Sequence, residues 1–351
     1  MSERPAPTAW RQRAEAQQLQ WKARTASLPE EAREEGSYFS KSFGRGGQVT
    51  WQEMGPYPHC LPREFAAHNL LASIRQEALT RLDRFQIAWH GETPRSGLNG
   101  NEGPTTNLLS SQVQCINSLL ALEYAPDVLL ERLQSVVPSA RKIIPIRHTN
   151  HARAEGLVAF EWIGRENYLR ERVRGVRTRG SFVTSADALI VVEREAGRRT
   201  GVLIEWKFTE SYHAAMKPIS PAGTDRREIY RAAYEGSASP FMSERPPIDA
   251  FFHEPHYQLL RQSLLAQGMK QAKEHGVDSM VVLMLMPSGN QSLRATVPTA
   301  LRPYGDTLDA VWETLVPGPE VRFVCQDSKA WLTATPELTE RYGGLFTREG
   351  S

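Results

Sequence analysis

A mixed β-sheet with helices packed on it, an α/β (α+β) architecture, is the fold class this sequence predicts. Apolar residues recur at helical spacing between residues 62 and 137, and past residue 156 the period shortens to that of strands. From residue 107 onward the runs follow the order α, β, β, β, α, β, which suits a sheet covered by helices. Length is no obstacle. For 351 residues, surface scaling gives roughly 14,000 Å² folded against about 57,000 Å² unfolded, so around three quarters of the surface can be buried.

The elements follow in chain order. Residues 1–60 are rich in Gln, Glu, Arg, Gly and Pro and read as a flexible N-terminal extension with a short helix around Trp10–Arg24. The run Gly44-x-Gly46-Gly47 lacks the strand-turn-helix setting and the following Lys-Ser/Thr of a phosphate loop, so it reads as a plain loop. Residues 61–150 form a helical region. Phe65, Leu70, Ile74, Ala78, Leu82 and Phe85 predict one helix from Pro62, and a Gly/Pro/Asn-rich loop over 91–106 follows it. Leu109, Val113, Ile116 and Leu120 predict a second helix over Asn107–Leu122, and Asp127 is placed as the N-cap of a third reaching Val137.

The core is expected over 151–327. Leu157–Ile163 is a short strand ended by Gly164, and Ala186–Val192 and Gly201–Phe208, joined by the turn residues 195–200, form a hairpin. A long polar insertion over 209–250 contains a helix near Asp225–Tyr234. Then come a helix over Pro255–Gln267, a buried strand Ser279–Met286, a helix Thr307–Leu315 and a strand Val321–Cys325, with 328–351 as a C-terminal tail.

Composition excludes several classes. A hydrophobic fraction of 40%, 23% charged residues and a mean hydropathy of -0.45 are those of a globular chain rather than a disordered, collagen-like or membrane protein. The longest apolar run, Met280–Met286, falls far short of the ~20 residues of a bilayer span. The start has no basic-then-apolar segment of the signal-peptide kind, so a cytoplasmic location is expected, with no membrane partner. Cys60, Cys115 and Cys325 lie far apart and read as small core residues rather than a disulfide framework or zinc ribbon. The net charge of +2 hides an excess over residues 141–180, where ten Lys or Arg face four Glu. A polyanion site is expected near there.

One constellation carries chemistry. Along a strand successive side chains alternate, so Glu205 and Lys207 share a face while Ile204, Trp206 and Phe208 share the other. Asp187 lies in the preceding strand, where hairpin pairing sets it beside Glu205. A half-buried sheet excludes such groups unless they are paired or bind something. Two hard carboxylates side by side suit Mg²⁺ or Mn²⁺, with the Trp206 backbone carbonyl as a third oxygen. The plain alternative is an exposed salt bridge, but Gly201–Phe208 is apolar except at these two positions. Asp327-Ser328-Lys329 repeats the tripeptide with no acidic residue embedded in a strand before it, and reads as a surface turn. His148, His151, His253 and His256 do not have metal-ligand spacing.

These residues resemble a family. Asp187, a hairpin, Glu205-Trp206-Lys207 and a helix bearing Tyr257-Gln258, in an α-β-β-β-α-β order, are similar to the PD-(D/E)XK nuclease superfamily and its restriction-endonuclease-like core. Five runs, 109–117, 160–164, 185–187, 204–212 and 254–261, more specifically resemble a bacterial branch of restriction endonucleases. The resemblance implies that Asp187 and Glu205 bind a catalytic Mg²⁺, that Lys207 orients or activates the attacking water, and that Gln258 lies near the metal or the DNA strand. The acidic position upstream is left between Glu161 and Glu171, with Gln112 where a Glu is expected. The family's Pro is replaced by the pair Ser185-Ala186. Arg170, Arg172, Arg174, Arg177 and Arg179 are expected to grip DNA phosphates. The function expected is metal-dependent DNA hydrolysis in restriction or defence. A repair or replication nuclease and a nuclease-like DNA-binding module are the alternatives, and a homodimer is left open.

Overall fold

The computed structural model describes residues 7–43, 49–90, 103–147, 154–171, 177–179, 183–212, 218–220 and 223–347. Its strands are β1 (Gly36–Phe43), β2 (Val49–Tyr57), β3 (Lys142–Ile144), β4 (Ile146–Arg147), β5 (Ala154–Gly156), β6 (Ala159–Trp162), β7 (Ala186–Glu193), β8 (Arg199–Trp206), β9 (Ser279–Met286) and β10 (Val321–Asp327). The α-helices are α1 (Ala9–Arg24), α2 (Arg75–Arg84), α3 (Ser111–Glu123), α4 (Pro126–Gln134), α5 (Arg226–Glu235), α6 (His256–Gln271), α7 (Gln291–Arg294), α8 (Leu308–Leu315), α9 (Lys329–Leu332) and α10 (Pro336–Tyr342).

The fold is the mixed α/β sheet expected. Its strands run in the order β10-β9-β8-β7-β3, with β6 pairing the start of β7. β6, β7 and β8 are antiparallel neighbours, whereas β9 and β10 run parallel to β8. A parallel neighbour needs a crossover, which here contains α6. The sequence α3, β6, β7, β8, α6, β9 is therefore the predicted α-β-β-β-α-β core. Even positions of β7 and β8, such as Ile190 and Ile204, pack with α3. Leu189, Val191 and Leu203 on the other face pack with α6.

Local differences have visible causes. The single helix expected from Pro62 is a 3-10 segment, Arg63–Asn69, followed by α2. The Asn117 side chain intervenes there, accepting from Leu71 N at 3.0 Å and donating to Asn69 O at 3.1 Å, and so captures backbone groups a continuous helix would use. The N-cap of α4 is Ala125, and Asp127 sits in its first turn. Residues 9–24 are not a loose extension. Trp10 and Ala14 belong to the α3-side core, and Trp331, Leu332, Leu338 and Tyr342 of the C-terminal segment join them. The helix expected around Trp10–Arg24 is present as α1, but its docking hides from pattern reading because Gln17, Gln18 and Lys22 are buried along with its apolar residues. Gly44–Gly47 lies outside the described residues. Asp327 Oδ1 accepts from Lys329 N at 2.9 Å, the surface turn anticipated.

Candidate active site

β7 and β8 pair with Ala188 opposite Ile204, so the same register sets Asp187 opposite Glu205. β6 pairs with β7 through Phe160 opposite Ala188 and Trp162 opposite Ala186, so Glu161 falls in the same row. Three carboxylates thus cross three adjacent strands at one end of the sheet. Glu161 has a left-handed backbone, φ 48°, uncommon and strained for a residue with a Cβ. Gly164, φ 73°, turns the chain away three residues later at no such cost.

Each member of the row is held. Asp187 Oδ2 accepts from Trp206 N at 2.6 Å, and the Trp206 indole donates to Gln114 Oε1 at 2.9 Å. Glu161 accepts from Ser185 Oγ at 2.6 Å and from Gln112 Nε2 at 3.4 Å, while the His90 imidazole stands 3.7 Å from it. Glu205 pairs with Lys207 Nζ at 2.5 Å on one oxygen and accepts from Gln262 on the other. Lys207 also donates to Gln258 Oε1 at 2.8 Å. The structure therefore brings Asp187, Glu205, Lys207, Gln258 and Glu161 together.

The electrostatics are unbalanced. Burial pushes the Asp187 carboxyl well above its usual range, and the facing charges of Glu205 and Glu161 push it the same way. Burial would lower the Lys207 ammonium, but Glu205, with Tyr212 and Glu210 behind it, outweighs that and holds it well above its ordinary value. Cys115 lies under the row and lines a small cavity with Gln112, Glu161 and Asp187. Burial, then the three carboxylates, raise its thiol far out of the reactive range.

A divalent cation fits this donor set. Glu205 Oε1 is buried and accepts no geometrically sound hydrogen bond even beside Lys207, and like charges in one row call for a cation between them. Among the described residues no group of three or more Asp, Glu, His or Cys side chains is placed to hold a metal ion together, so at most two of the row's carboxylates would be ligands. That is compatible with Mg²⁺, which keeps several waters and takes one or two protein carboxylates.

Other expected residues lie elsewhere. Glu171 is separate from the row and satisfied, accepting from Thr184 N and Oγ1 at 2.6 Å each and from Tyr230 OH at 2.5 Å. Of the arginines expected to bind DNA, Arg172 and Arg174 lie outside the described residues. Arg170 is exposed, with φ 54°. Arg177 is spent on the carbonyls of Ile163, Gly164, Arg165 and Glu166 at 2.6–3.1 Å. Arg179 is buried against Glu155, with Nη2 donating to Oε2 at 2.9 Å. Neither Arg177 nor Arg179 is a free phosphate clamp, because a loop folded back on the sheet has its own carbonyls and carboxylate to satisfy.

Sequence reasoning overlooked Gln262, Ser185 and His90. Gln262 was readable in principle, since it follows Gln258 by four residues and so shares its helix face. Nothing in the sequence joined His90 to Glu161, which lies 71 positions further along the chain.

Residues 14–339 match the family described as "Restriction Endonuclease associating with ARP". This chain belongs to that family. The match spans the whole α-β-β-β-α-β core together with α1 from residue 14 onward and the first four residues of α10. An 88-residue stretch is 38% identical to the large ribosomal subunit protein mL59 of Neurospora crassa. That stretch is 25% of this chain, which spans about half, 51%, of the curated relative's length. No solved structure matches the chain. No helix among the described residues is long and apolar enough to cross a membrane.

Proposed function

We propose that this protein is a Mg²⁺- or Mn²⁺-dependent endonuclease that hydrolyses DNA phosphodiester bonds in a restriction or defence setting. The observation that carries the reading is the row Glu161, Asp187 and Glu205 with Lys207 ion-paired at its end. Membership of a family named for a restriction endonuclease supports it. A sheet has no structural use for three carboxylates in register, since like charges facing each other destabilise it.

Phosphodiester hydrolysis requires a nucleophile in line with the leaving oxygen and relief of charge on the pentavalent transition state. A bound divalent metal supplies a water of lowered pKa and charge neutralisation at the phosphoryl oxygen. Asp187 and Glu205 would hold it, with the Trp206 carbonyl as a third oxygen and Glu161 beside them. Lys207, kept charged by Glu205, orients the water and offsets developing charge without moving. Gln258 and Gln262 fix Lys207 and Glu205 from one helix face, so the groups are set before substrate arrives.

The test is incubation of purified protein with plasmid, linear duplex, single-stranded DNA and RNA, with and without Mg²⁺. Metal-dependent cutting of duplex DNA is the expected result. Preference for branched or single-stranded substrates would point to repair. No cutting of any nucleic acid would move the reading to a nuclease-like binding module.

A further inference from the structure

We infer that Arg261 is a substrate contact of this site, its guanidinium taking a non-bridging oxygen of a nucleic-acid backbone phosphate next to the carboxylate row. The inference rests on the nuclease reading and deepens it by naming a residue that places the substrate.

Position is the first argument. Gln258, Arg261 and Gln262 stand at i, i+3 and i+4 on α6, which sets them on one face. Gln258 holds Lys207 and Gln262 holds Glu205, so the same turn delivers Arg261 to the edge of the site. Arg261 Nη1 lies 3.5 Å from Thr184 Oγ1. The next residue, Ser185, binds Glu161 through its hydroxyl and Gln262 through its carbonyl.

The second argument is what Arg261 lacks. Several other enclosed arginines have strong partners, Arg81 on Glu123 at 2.7 Å, Arg179 on Glu155 and Arg177 on four carbonyls, although a buried Nε without a partner also occurs at Arg75, Arg165 and Arg294. Arg341 likewise bonds Asn69 and Gln18. Arg261 has five N–H donors and, among the described residues, one long hydrogen bond and no ion pair within 4.0 Å. Its buried Nε has no partner. The charge is nevertheless secure. Burial opposes it, but Tyr230, Tyr257, Glu254 and Glu171 nearby raise the guanidinium above its ordinary value. A planar, permanently charged fork with donors to spare suits a phosphate.

The third argument is rigidity. The guanidinium lies 4.7 Å over the Tyr257 ring, whose surroundings also include Arg226 at 5.7 Å. Tyr257 itself stacks on Phe252 at 5.3 Å. A stacked arginine loses little further freedom on binding, so contact with a phosphate costs less entropy than it would from a free surface side chain.

The experiment measures binding of a labelled DNA duplex of about 30 base pairs in EDTA over a series of KCl concentrations, for wild type, Arg261→Gln and Arg261→Lys. One lost phosphate contact should reduce the slope of log affinity against log salt by about 0.9 in Arg261→Gln. Arg261→Lys should keep the slope while binding more weakly, because a point charge replaces the fork. If Arg261→Gln has the wild-type slope with a lowered melting temperature, Arg261 merely props Tyr257 and the inference is overturned. If Arg261→Gln does not fold, Arg261→Lys decides: weaker binding at an unchanged melting temperature supports the contact, and wild-type affinity overturns it. Failure of the wild type to bind DNA overturns it as well. Cleavage is read separately in Mg²⁺, so a wild type that binds with the expected slopes but does not cut counts against the nuclease reading alone.

Discussion

Two regions of the molecule bury charge, and they do so in opposite ways. Where α1 meets the C-terminal segment, Lys22 Nζ donates to the carbonyls of Glu34, Pro58 and Cys60 at 2.6, 2.9 and 2.7 Å. Arg341 bonds Asn69 and Gln18 and lies 4.3 Å over the Trp21 ring. There the buried cations Lys22 and Arg341 end on neutral oxygens or an aromatic face. In the row across β6, β7 and β8, carboxylates face carboxylates with one lysine between the three of them. The first arrangement is what folding stability asks of buried polar groups. Stability alone does not account for the second, which is why the proposed function places a ligand there.

The sharpest break of that contrast is Glu205→Gln. Mg²⁺-dependent cleavage should fall on the order of 10³-fold, while the melting temperature without metal should change little, relief of the repulsion on Asp187 offsetting loss of the Lys207 ion pair. Lys207→Ala should suppress cleavage yet leave calorimetric metal binding largely intact, whereas Asp187→Ala should lose both. Wild-type cutting by Glu205→Gln would make the row another structural network.

Arg341→Met tests the other region. It leaves Asn69 Oδ1 and Gln18 Oε1 without this donor and Asn69 O with Asn117 alone, which should lower stability by about 2 to 4 kcal/mol. Cleavage at 25 °C by the folded fraction should not change. Denaturant unfolding measures the first effect and a plasmid assay the second. Loss of cutting at full stability would erase the distinction between the two regions.

A satisfied histidine extends the comparison along the pH axis. His256 accepts from the Trp312 indole at 3.0 Å and meets Thr296 O at 2.7 Å, and burial depresses its pKa to about 4 from 6.5. Between those values the unfolded chain binds more protons than the folded one, so stability is present above 6.5 and is lost as pH falls towards 4. The loss amounts to up to about 3 kcal/mol. Unfolding curves of His256→Asn should show a flatter pH dependence over that window. An equal slope would mean that His256 is not held neutral.

The smallest effect joins the two regions. The Trp10 indole of α1 donates to Phe208 O at 2.7 Å, just past Lys207, and Asn290 Nδ2 reaches the same oxygen at 3.3 Å. Trp10→Phe removes one of the two donors and keeps the ring. kcat should drop by about threefold with KM unchanged, the cost of roughly half a typical hydrogen bond. An unchanged kcat would show that the terminal segments only stabilise.

Legibility differs from residue to residue for physical reasons. β9 was readable to its ends because a strand buried on both faces is a continuous apolar run. The Asp187–Glu205 pairing was readable because a hairpin leaves few registers open and strand parity does the rest. α1 was readable as a helix but not as a packed one, since its buried polar residues Gln17, Gln18 and Lys22 leave no clean apolar face to announce the docking. Arg177 and Arg179 misled for a related reason. Charge density along the chain shows how many arginines there are, not which carbonyl or carboxylate each will find.

By itself the sequence determined the α-β-β-β-α-β order, the sheet face shared by Asp187, Glu205 and Lys207, and the helix that carries Gln258. Each depends on local periodicity, which is written in neighbouring residues. Only the tertiary structure chose Glu161 over Glu171 for the row, tied Arg179 to Glu155, and set Arg261 beside the site with donors to spare. Those outcomes depend on which long-range partner satisfies each buried polar group, and that competition is decided when the helices close over the sheet.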